Sequence, residues 1–427
     1  MPKVHALTSL RFIAAAMVFL HHYICAGGWT HFGAAHLGDI GQSWWAVLLF
    51  EMRVGVTLFF VLSGFLLTIR YYDSLLRGTS IKAYWVKRFA RIMPLYWTLL
   101  LVMLAYYLYQ GKSTEHFLVF ATLTQGFFSD LKFDGLGTAW SLTVEECFYL
   151  TLPVVILAIR WFWPEKSFRW WKMALAVGVV YLTSVILWDI GNYLHDRRLM
   201  QYGGFLKLKG DLRIYTIFGR FLDFGFGSLF GILYMKANKI GLNYKYLADA
   251  VILLSTAAMI YVCTQIFFEA GKRPSIYNFE TRTGWHMNFY NALFSGLIIY
   301  FLCSSSSYIT RLLSWRPFVY LGEISFAFYL IHFNHIAFHL YWWTADLGIG
   351  FWGEVILLYA IISILSALAY EMVERPAQHL ILEKVGLIRD TVRRPTFLRL
   401  LGMAPYASVE RSARRLLRRR RPAAQHS

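Results

Sequence analysis

The chain has 427 residues, 58% of them hydrophobic and 15% charged, with a formal net charge of +18 and a mean hydropathy of +0.47. This composition excludes a soluble globular domain and a disordered chain, and recurring runs of about 20 apolar residues read as membrane spans. The positive charge is confined to loops and the C-terminal tail, so it is a topology signal before it is a nucleic-acid signal.

The hydropathy pattern predicts an all-α, polytopic helical bundle. Ten spans are expected, near 7–27, 46–69, 90–110, 141–163, 173–194, 214–235, 246–268, 285–304, 317–339 and 352–373. An even count puts both termini on one side. Lys and Arg crowd the connections after the second span (Arg70, Arg77, Lys82, Lys87), the fourth (Arg160, Lys166, Arg169) and the sixth (Lys236, Lys239, Lys245), while the loops after the first and ninth are nearly free of them. The positive-inside rule then places both termini in the cytoplasm. The loop after the fifth span, with Arg197, Arg198, Lys207, Lys209 and Arg213, breaks the alternation. It reads either as a tolerated exception or as a basic lip that recruits an anionic substrate. Lys3 ahead of an apolar run imitates a signal peptide, but Arg11 inside the run and the lack of a small-x-small cleavage site argue that it is retained. The four cysteines, Cys25, Cys147, Cys263 and Cys303, have no paired spacing and support neither a disulfide framework nor a zinc site.

In chain order, the first span carries Arg11, His21 and His22, and titratable groups inside a span point to function. Arg11 and His22 are eleven positions apart, about 1100° of helix, so they share a face roughly 16 Å apart along the axis. His21 falls about 80° off that line. The bland alternative makes Arg11 a snorkelling end-anchor and the histidines interfacial. In the second span, Gly55, Ser63 and Gly64 are small residues that let neighbouring helices approach, and Ser63 has no base beside it in sequence. Arg88 and Arg91, three apart before Pro94 at the start of the third span, suit a phosphate grip as well as ordinary anchoring.

The fourth span opens with Trp140, Ser141 and Thr143, followed by Glu145 and Glu146. Thr143 with Glu146 fits a capping box, which leaves Glu145 without a structural explanation. Glu145 is expected at the membrane level of His22, where a carboxylate fixes an imidazole's tautomer and raises its basicity. The ninth span carries Glu323, Ser325 and His332, the histidine read as a satisfied interior group near the membrane middle. Glu374 and Arg375 close the last span as an interfacial ion pair. The division expected is a membrane domain, 1–376, and a tail, 377–427, whose arginine run Arg418 to Arg421 reads as a disordered tether to anionic lipid. Without interleaved aromatics or a recognisable module, the tail does not read as a nucleic-acid binder.

Taken together and in this order, Leu10-Arg11 with His22, GVTLFFVLSGF, RFARIMPLYW, WSLTVEECFY, LGEISFAFYLIH and the terminal ERP resemble the acyltransferase 3 family of integral membrane proteins, over about residues 5 to 376. The resemblance implies a ten-helix domain that moves an acyl group, often acetyl, from cytoplasmic acyl-CoA to a sugar hydroxyl of a glycan or lipid-linked saccharide, in the bacterial inner membrane and without a metal. It also implies His22 as the catalytic histidine paired with Arg11, Arg88 and Arg91 on the coenzyme side, and Glu145 with Trp140 and Ser141 as the acidic stretch. Ser63, Ser325 and His332 remain further candidates for substrate contacts.

Two departures stand out. Thr8-Ser9 replaces the Asp-Gly that many members carry, and Cys147 stands where Gln is common. The soluble esterase-like domain of some members is not in this sequence, so the chain is expected to act alone or with a separate partner; a homo-oligomer is left open. Two rivals come from other classes. A flippase of lipid-linked saccharides would use the buried charges without bond chemistry, and a membrane sensor would depend on the basic tail.

Overall fold

The computed structural model describes residues 5–32, 43–76, 80–162, 170–197, 202–237, 245–269 and 282–388. Among them the chain is helical throughout, with two isolated β-bridges, Phe128 to Phe205 and Leu136 to Asn334. The helices in order are α1 (His5–Cys25), α2 (Trp44–Glu51), α3 (Gly55–Leu76), α4 (Ile81–Tyr109), α5 (Phe117–Ala121), α6 (Trp140–Phe162), α7 (Trp170–Arg197), α8 (Lys209–Tyr215), α9 (Ile217–Ala237), α10 (Lys245–Glu269), α11 (Arg282–Ser304), α12 (Tyr308–Leu313), α13 (Arg316–Glu323), α14 (Ser325–Ile331), α15 (His335–Asp346), α16 (Gly350–Ala369) and α17 (Arg375–Lys384).

The hub is α1. A helix whose apolar residues run all the way round it belongs inside a bundle; apart from Arg11, His21 and His22, α1 is of this kind, and Leu7, Leu10, Ala14, Val18, Phe19 and Ile24 are all buried. It packs against α2, α3, α11, α12, α13 and α14. Small residues make these contacts close. Gly55 of α3 faces the Ala14 carbonyl, and Gly322 of α13 faces the Thr8 carbonyl so tightly that a Cβ there has no room. The tightest long crossing is α3 on α9, where Gly64 meets the Phe224 backbone and Gly227 the Val61 carbonyl. Within a membrane, such van der Waals fit replaces the hydrophobic effect as the force between helices. Ser63, expected in the same packing role, instead turns its hydroxyl to Glu145.

Seven helical stretches among the described residues are long and apolar enough to cross a bilayer: His5–Cys25, Trp44–Leu75, Ile81–Tyr109, Leu175–Arg197, Lys209–Lys236, Lys245–Gln265 and Gly350–Lys384. Outward-facing apolar side chains such as Leu101, Leu182, Leu254 and Ile356 are exposed, as a lipid-facing surface requires. The bundle is therefore all-α and polytopic. Of the remaining expected spans, α6 is a helix that carries Glu145 and Glu146, and Asn288–Ser304 is a shorter apolar helix.

The expected ninth span, 317–339, is not one helix. It is divided into α13, α14 and the start of α15, with breaks at Ile324 and at Phe333-Asn334. Asn334 causes the second break. Its backbone is extended and its side chain accepts from the Ala337 N–H at 2.9 Å, capping α15, while its Nδ2 donates to the Ile331 carbonyl at 3.0 Å. Broken backbone at membrane depth is tolerated where it lines a cavity, and this break does.

The expected boundary at 376 lies within α17, which packs against α4, and the tail beyond 388 lies outside the described residues. Glu374 and Arg375 do not pair with each other, because a π-helical turn, Tyr370–Glu374, redirects them. Arg375 bonds Glu371 at 3.1 Å and Glu374 turns inward to Arg91. Of the described basic residues after the fifth span, Arg213 is 1% exposed over the Trp188 ring and Lys207 pairs with Asp130; Arg198 lies outside the described residues.

Candidate active site

The C-terminal half of α1 borders a cavity of about 320 Å³, walled by His21, His22, Arg53, Trp140, Arg220 and Phe333 among others. His22 stacks on Phe333 with ring centroids 3.9 Å apart, and its Nδ1 lies 2.8 Å from Nε2 of His332. His332 is fully buried at the C-terminal end of α14, where its own Nδ1 lies 3.1 Å from the Phe328 carbonyl oxygen. The break at Phe333-Asn334 puts Phe333 in the cavity wall and His332 directly behind His22. His332 is therefore the neighbour of His22, although the sequence assigned that place to Glu145.

Glu145 sits elsewhere for a simple helical reason. It is five residues beyond Trp140, about 140° around and roughly 7.5 Å further along α6, so Trp140 can wall the cavity while Glu145 points away from it. Its carboxylate accepts from Ser63 Oγ at 3.1 Å and Tyr149 OH at 2.8 Å, and it interacts electrostatically with Arg11 and Arg88. Thr143 is no cap either. α6 begins at Trp140, and the Thr143 hydroxyl accepts from the Gly126 N–H at 3.2 Å. Glu146, deprived of its capping role, has a buried Oε1 with no partner among the described residues.

A second constellation occupies the other end of the same helix. Arg11 faces Arg91, Tyr149, Arg88 and Glu145. Arg88 donates to Tyr71 OH at 3.3 Å and lies over the Tyr71 and Tyr149 rings, while its Nε is buried without a partner among the described residues. Arg91 forms an ion pair with Glu374, whose Oε2 is likewise buried and unpartnered. Sequence spacing put Arg88 and Arg91 on one face and Arg11 in line with His22; the fold brings the three arginines into one cluster.

The remaining candidates divide. Trp140 walls the cavity edge-on to Tyr215 at 4.7 Å. Ser141 is buried, donating to the Thr138 carbonyl at 2.9 Å and accepting from Tyr329 OH at 2.8 Å. Tyr329 in turn reaches the cavity and interacts electrostatically with Glu145 and Arg220, so it links the two constellations. Ser325 donates to the Gly322 carbonyl at 2.8 Å across the joint between α13 and α14 and does not border the cavity. His21, expected as an interfacial side chain, is also in the cavity wall, with Nδ1 on the Phe50 carbonyl and Nε2 3.7 Å from Cys25 Sγ.

Several cavity residues escaped the sequence reading. Arg53 pairs with Glu51 at 2.9 Å, and Arg220 forms an ion pair with Asp223 at 3.0 Å and donates to Thr57 Oγ1 at 2.9 Å. Arg220 and Asp223 are three apart inside an apolar run, which is itself the signature of an intramembrane ion pair. Glu51 and Arg53 fall inside the expected second span, 46–69, whose singled-out residues are Gly55, Ser63 and Gly64. No group of three metal-ligating side chains occurs among the described residues.

An apolar helical bundle with a titratable cavity at one end of its central helix and a buried arginine–carboxylate cluster at the other is a polytopic membrane protein that keeps its charged and titratable groups inside the bundle. The chain belongs to the acyltransferase 3 family: the family model, described as an acyltransferase domain, matches residues 4–371. It is similar to a protein of Bacillus subtilis provisionally named a peptidoglycan O-acetyltransferase, 22% identical over 76% of this chain and 50% of that protein. Nodulation protein 10 of Rhizobium leguminosarum is 29% identical over 54% of this chain and 60% of its own. A Staphylococcus aureus protein provisionally named an O-acetyltransferase is 25% identical over 76% and 52%. The chain spans about half the length of the curated relatives it matches. No solved structure matches it.

Proposed function

We propose that this chain transfers an acyl group, acetyl foremost, from acyl-CoA to a hydroxyl of a cell-surface glycan or lipid-linked saccharide, with His22 as general base. The observation that carries the reading is the placement of His22 in the wall of a 320 Å³ cavity, on the same helix that takes Arg11 into the arginine cluster. The acceptor hydroxyl gives its proton to His22 as its oxygen bonds the thioester carbonyl carbon. The carbon–sulfur bond then breaks and the departing coenzyme thiolate takes the proton back. A positioned base contributes roughly 10²–10⁴ in rate.

Acyl-CoA is a substrate in this scheme, and Arg88, Arg91 and Arg11 are the residues that would hold its phosphates. The buried, unpartnered Nε of Arg88 is a donor that lacks an acceptor, which fits an anion. Arg91 is already engaged by Glu374, so a phosphate would compete with that carboxylate. The names of the relatives, a peptidoglycan O-acetyltransferase among them, support a saccharide acceptor. The Lys/Arg distribution of the loops supports a bacterial plasma-membrane setting with both termini cytoplasmic.

Inverted membrane vesicles supplied with radiolabelled acetyl-CoA test the reading, with label in the glycan and glycolipid fractions measured for the unaltered protein and for His22→Ala. Acetyl-CoA-dependent label that disappears with His22→Ala is expected. Movement of saccharide across the membrane with no consumption of acetyl-CoA would instead identify a flippase.

A further inference from the structure

His332 lies in the contact shell of His22, and its two ring nitrogens face groups of different chemistry. Its Nδ1 is 3.1 Å from the Phe328 carbonyl oxygen. A carbonyl only accepts, so that nitrogen carries the proton. A neutral imidazole has a single N–H, which leaves Nε2 of His332 as a lone pair. That lone pair is 2.8 Å from Nδ1 of His22, and a hydrogen bond there requires His22 to be the donor. The proton of neutral His22 is thereby held on Nδ1 and its Nε2 is the free base. Among the described residues, that Nε2 has no hydrogen-bond partner.

We infer that His332 is the positioning residue for His22, anchored by the Phe328 carbonyl, and that it takes the role a carboxylate fills in better-known base-orienting pairs. This deepens the general-base reading above and rests on it. The arrangement works through both protonation states. When His22 takes the acceptor's proton on Nε2, its Nδ1–H continues to donate to His332, so no second proton has to move. A neutral acceptor on the far nitrogen also stabilises the imidazolium that forms without burying a further charge, which a carboxylate in the same place would do at a desolvation penalty.

The surroundings hold the pair in register. Phe19 packs edge-on to His332 at 6.4 Å, Phe333 covers the face of His22, and Tyr341 donates to the His332 backbone carbonyl at 3.2 Å. His21 provides the contrast. Its Nδ1 is fixed by the Phe50 carbonyl, but its Nε2 faces the Cys25 thiol at 3.7 Å, so its lone pair is turned to a neighbour on its own helix.

The test uses the full chain in inverted vesicles, with apparent kcat and KM for acetyl-CoA measured at equal membrane abundance. His332→Gln puts an amide oxygen near the position of Nε2 and keeps an acceptor for His22; His332→Leu keeps volume and removes it. Loss of a group that orients a metal-ligating histidine typically lowers affinity or activity ten- to a hundredfold, and a loss of about that order is taken for the orientation of His22. The Leu variant is therefore expected to lose about that much in kcat, with KM for acetyl-CoA little changed, and the Gln variant to recover most of it. Should the Leu variant fail to accumulate, His332→Asn, polar but a methylene too short to reach His22, takes its place.

Equal turnover of the acceptor-bearing and acceptor-free variants, whether both high or both low, overturns the inference, the second result marking a packing role. A loss confined to KM overturns it too. His22→Ala in the same series separates this failure from that of the base reading: full turnover by His22→Ala defeats the base itself, whatever His332 does.

Discussion

His21 and His22 are adjacent and share one cavity, yet their nitrogens are committed differently, and that difference predicts unequal consequences. His22→Ala is expected to remove roughly 10²–10⁴ of the turnover while the protein still inserts and binds acetyl-CoA. His21→Ala removes a ring tied to the Phe50 carbonyl and Cys25 and should leave most of the turnover in vesicle assays at saturating acetyl-CoA. A dead His21 variant beside an active His22 variant would reverse the assignment. The Arg91–Glu374 pair makes a second prediction at this scale. Glu374 is 1% exposed, so Arg91→Ala strands a buried carboxylate, and breaking such a pair destabilises by about 3–5 kcal/mol. The purified variant should melt well below the unaltered protein, and Arg91→Ala with Glu374→Gln should recover much of the loss. Single and double variants that melt alike would show that the pair is not the energetic unit.

The elements carry their own predictions. α3 and α9 approach so closely at Gly64 that an added side chain runs into the Phe224 backbone. Overpacking of this kind costs typically about 1–3 kcal/mol, so Gly64→Val should lower detergent-phase thermal stability. Gly178→Ala, where a Cβ meets nothing within 4 Å, should be neutral or slightly stabilising because alanine is the better helix former. Equal effects at the two sites would contradict the close crossing. The break before α15 should matter more to activity than to stability. Asn334→Ala forfeits a cap worth about 1 kcal/mol, but it also loosens the turn that holds His332 and Phe333 against His22. Turnover is therefore expected to fall by more than the melting shift suggests.

At the scale of the whole molecule, the sidedness of the bundle and the extent of its working part are both testable. Cysteines placed at the two termini of a cysteine-free variant should be reached by impermeant thiol reagents only from the cytoplasmic side, as the loop charges imply; a terminus labelled from outside intact cells refutes the topology. Truncation after residue 388 should leave acyl transfer intact. Truncation after Pro376 should not, because it removes most of α17, which lies against α4, the helix that carries Arg88 and Arg91. A full-length requirement for turnover would return the basic tail to the mechanism.

Much of this protein was legible from its sequence alone. Apolar runs of spanning length must become helices, since a bilayer offers backbone groups no other partner, and the eleven-residue interval fixed Arg11 and His22 on one face before any neighbour was known. These are local consequences of a 3.6-residue period. The partner of each side chain was not local. His332 is 310 positions from His22, and it arrives there only because Asn334 ends one helix and starts another. Glu145 looked like the natural mate of the histidine by membrane depth, but depth says nothing of azimuth, and the turn of α6 sends it to Ser63 and Tyr149. Arg220 and Asp223 passed as residues of one more apolar run until the crossing of α3 and α9 brought Thr57 to the Arg220 guanidinium. Helical period decides which residues share a face; the crossing of one helix over another, set by where glycine lets backbones touch, decides which faces meet.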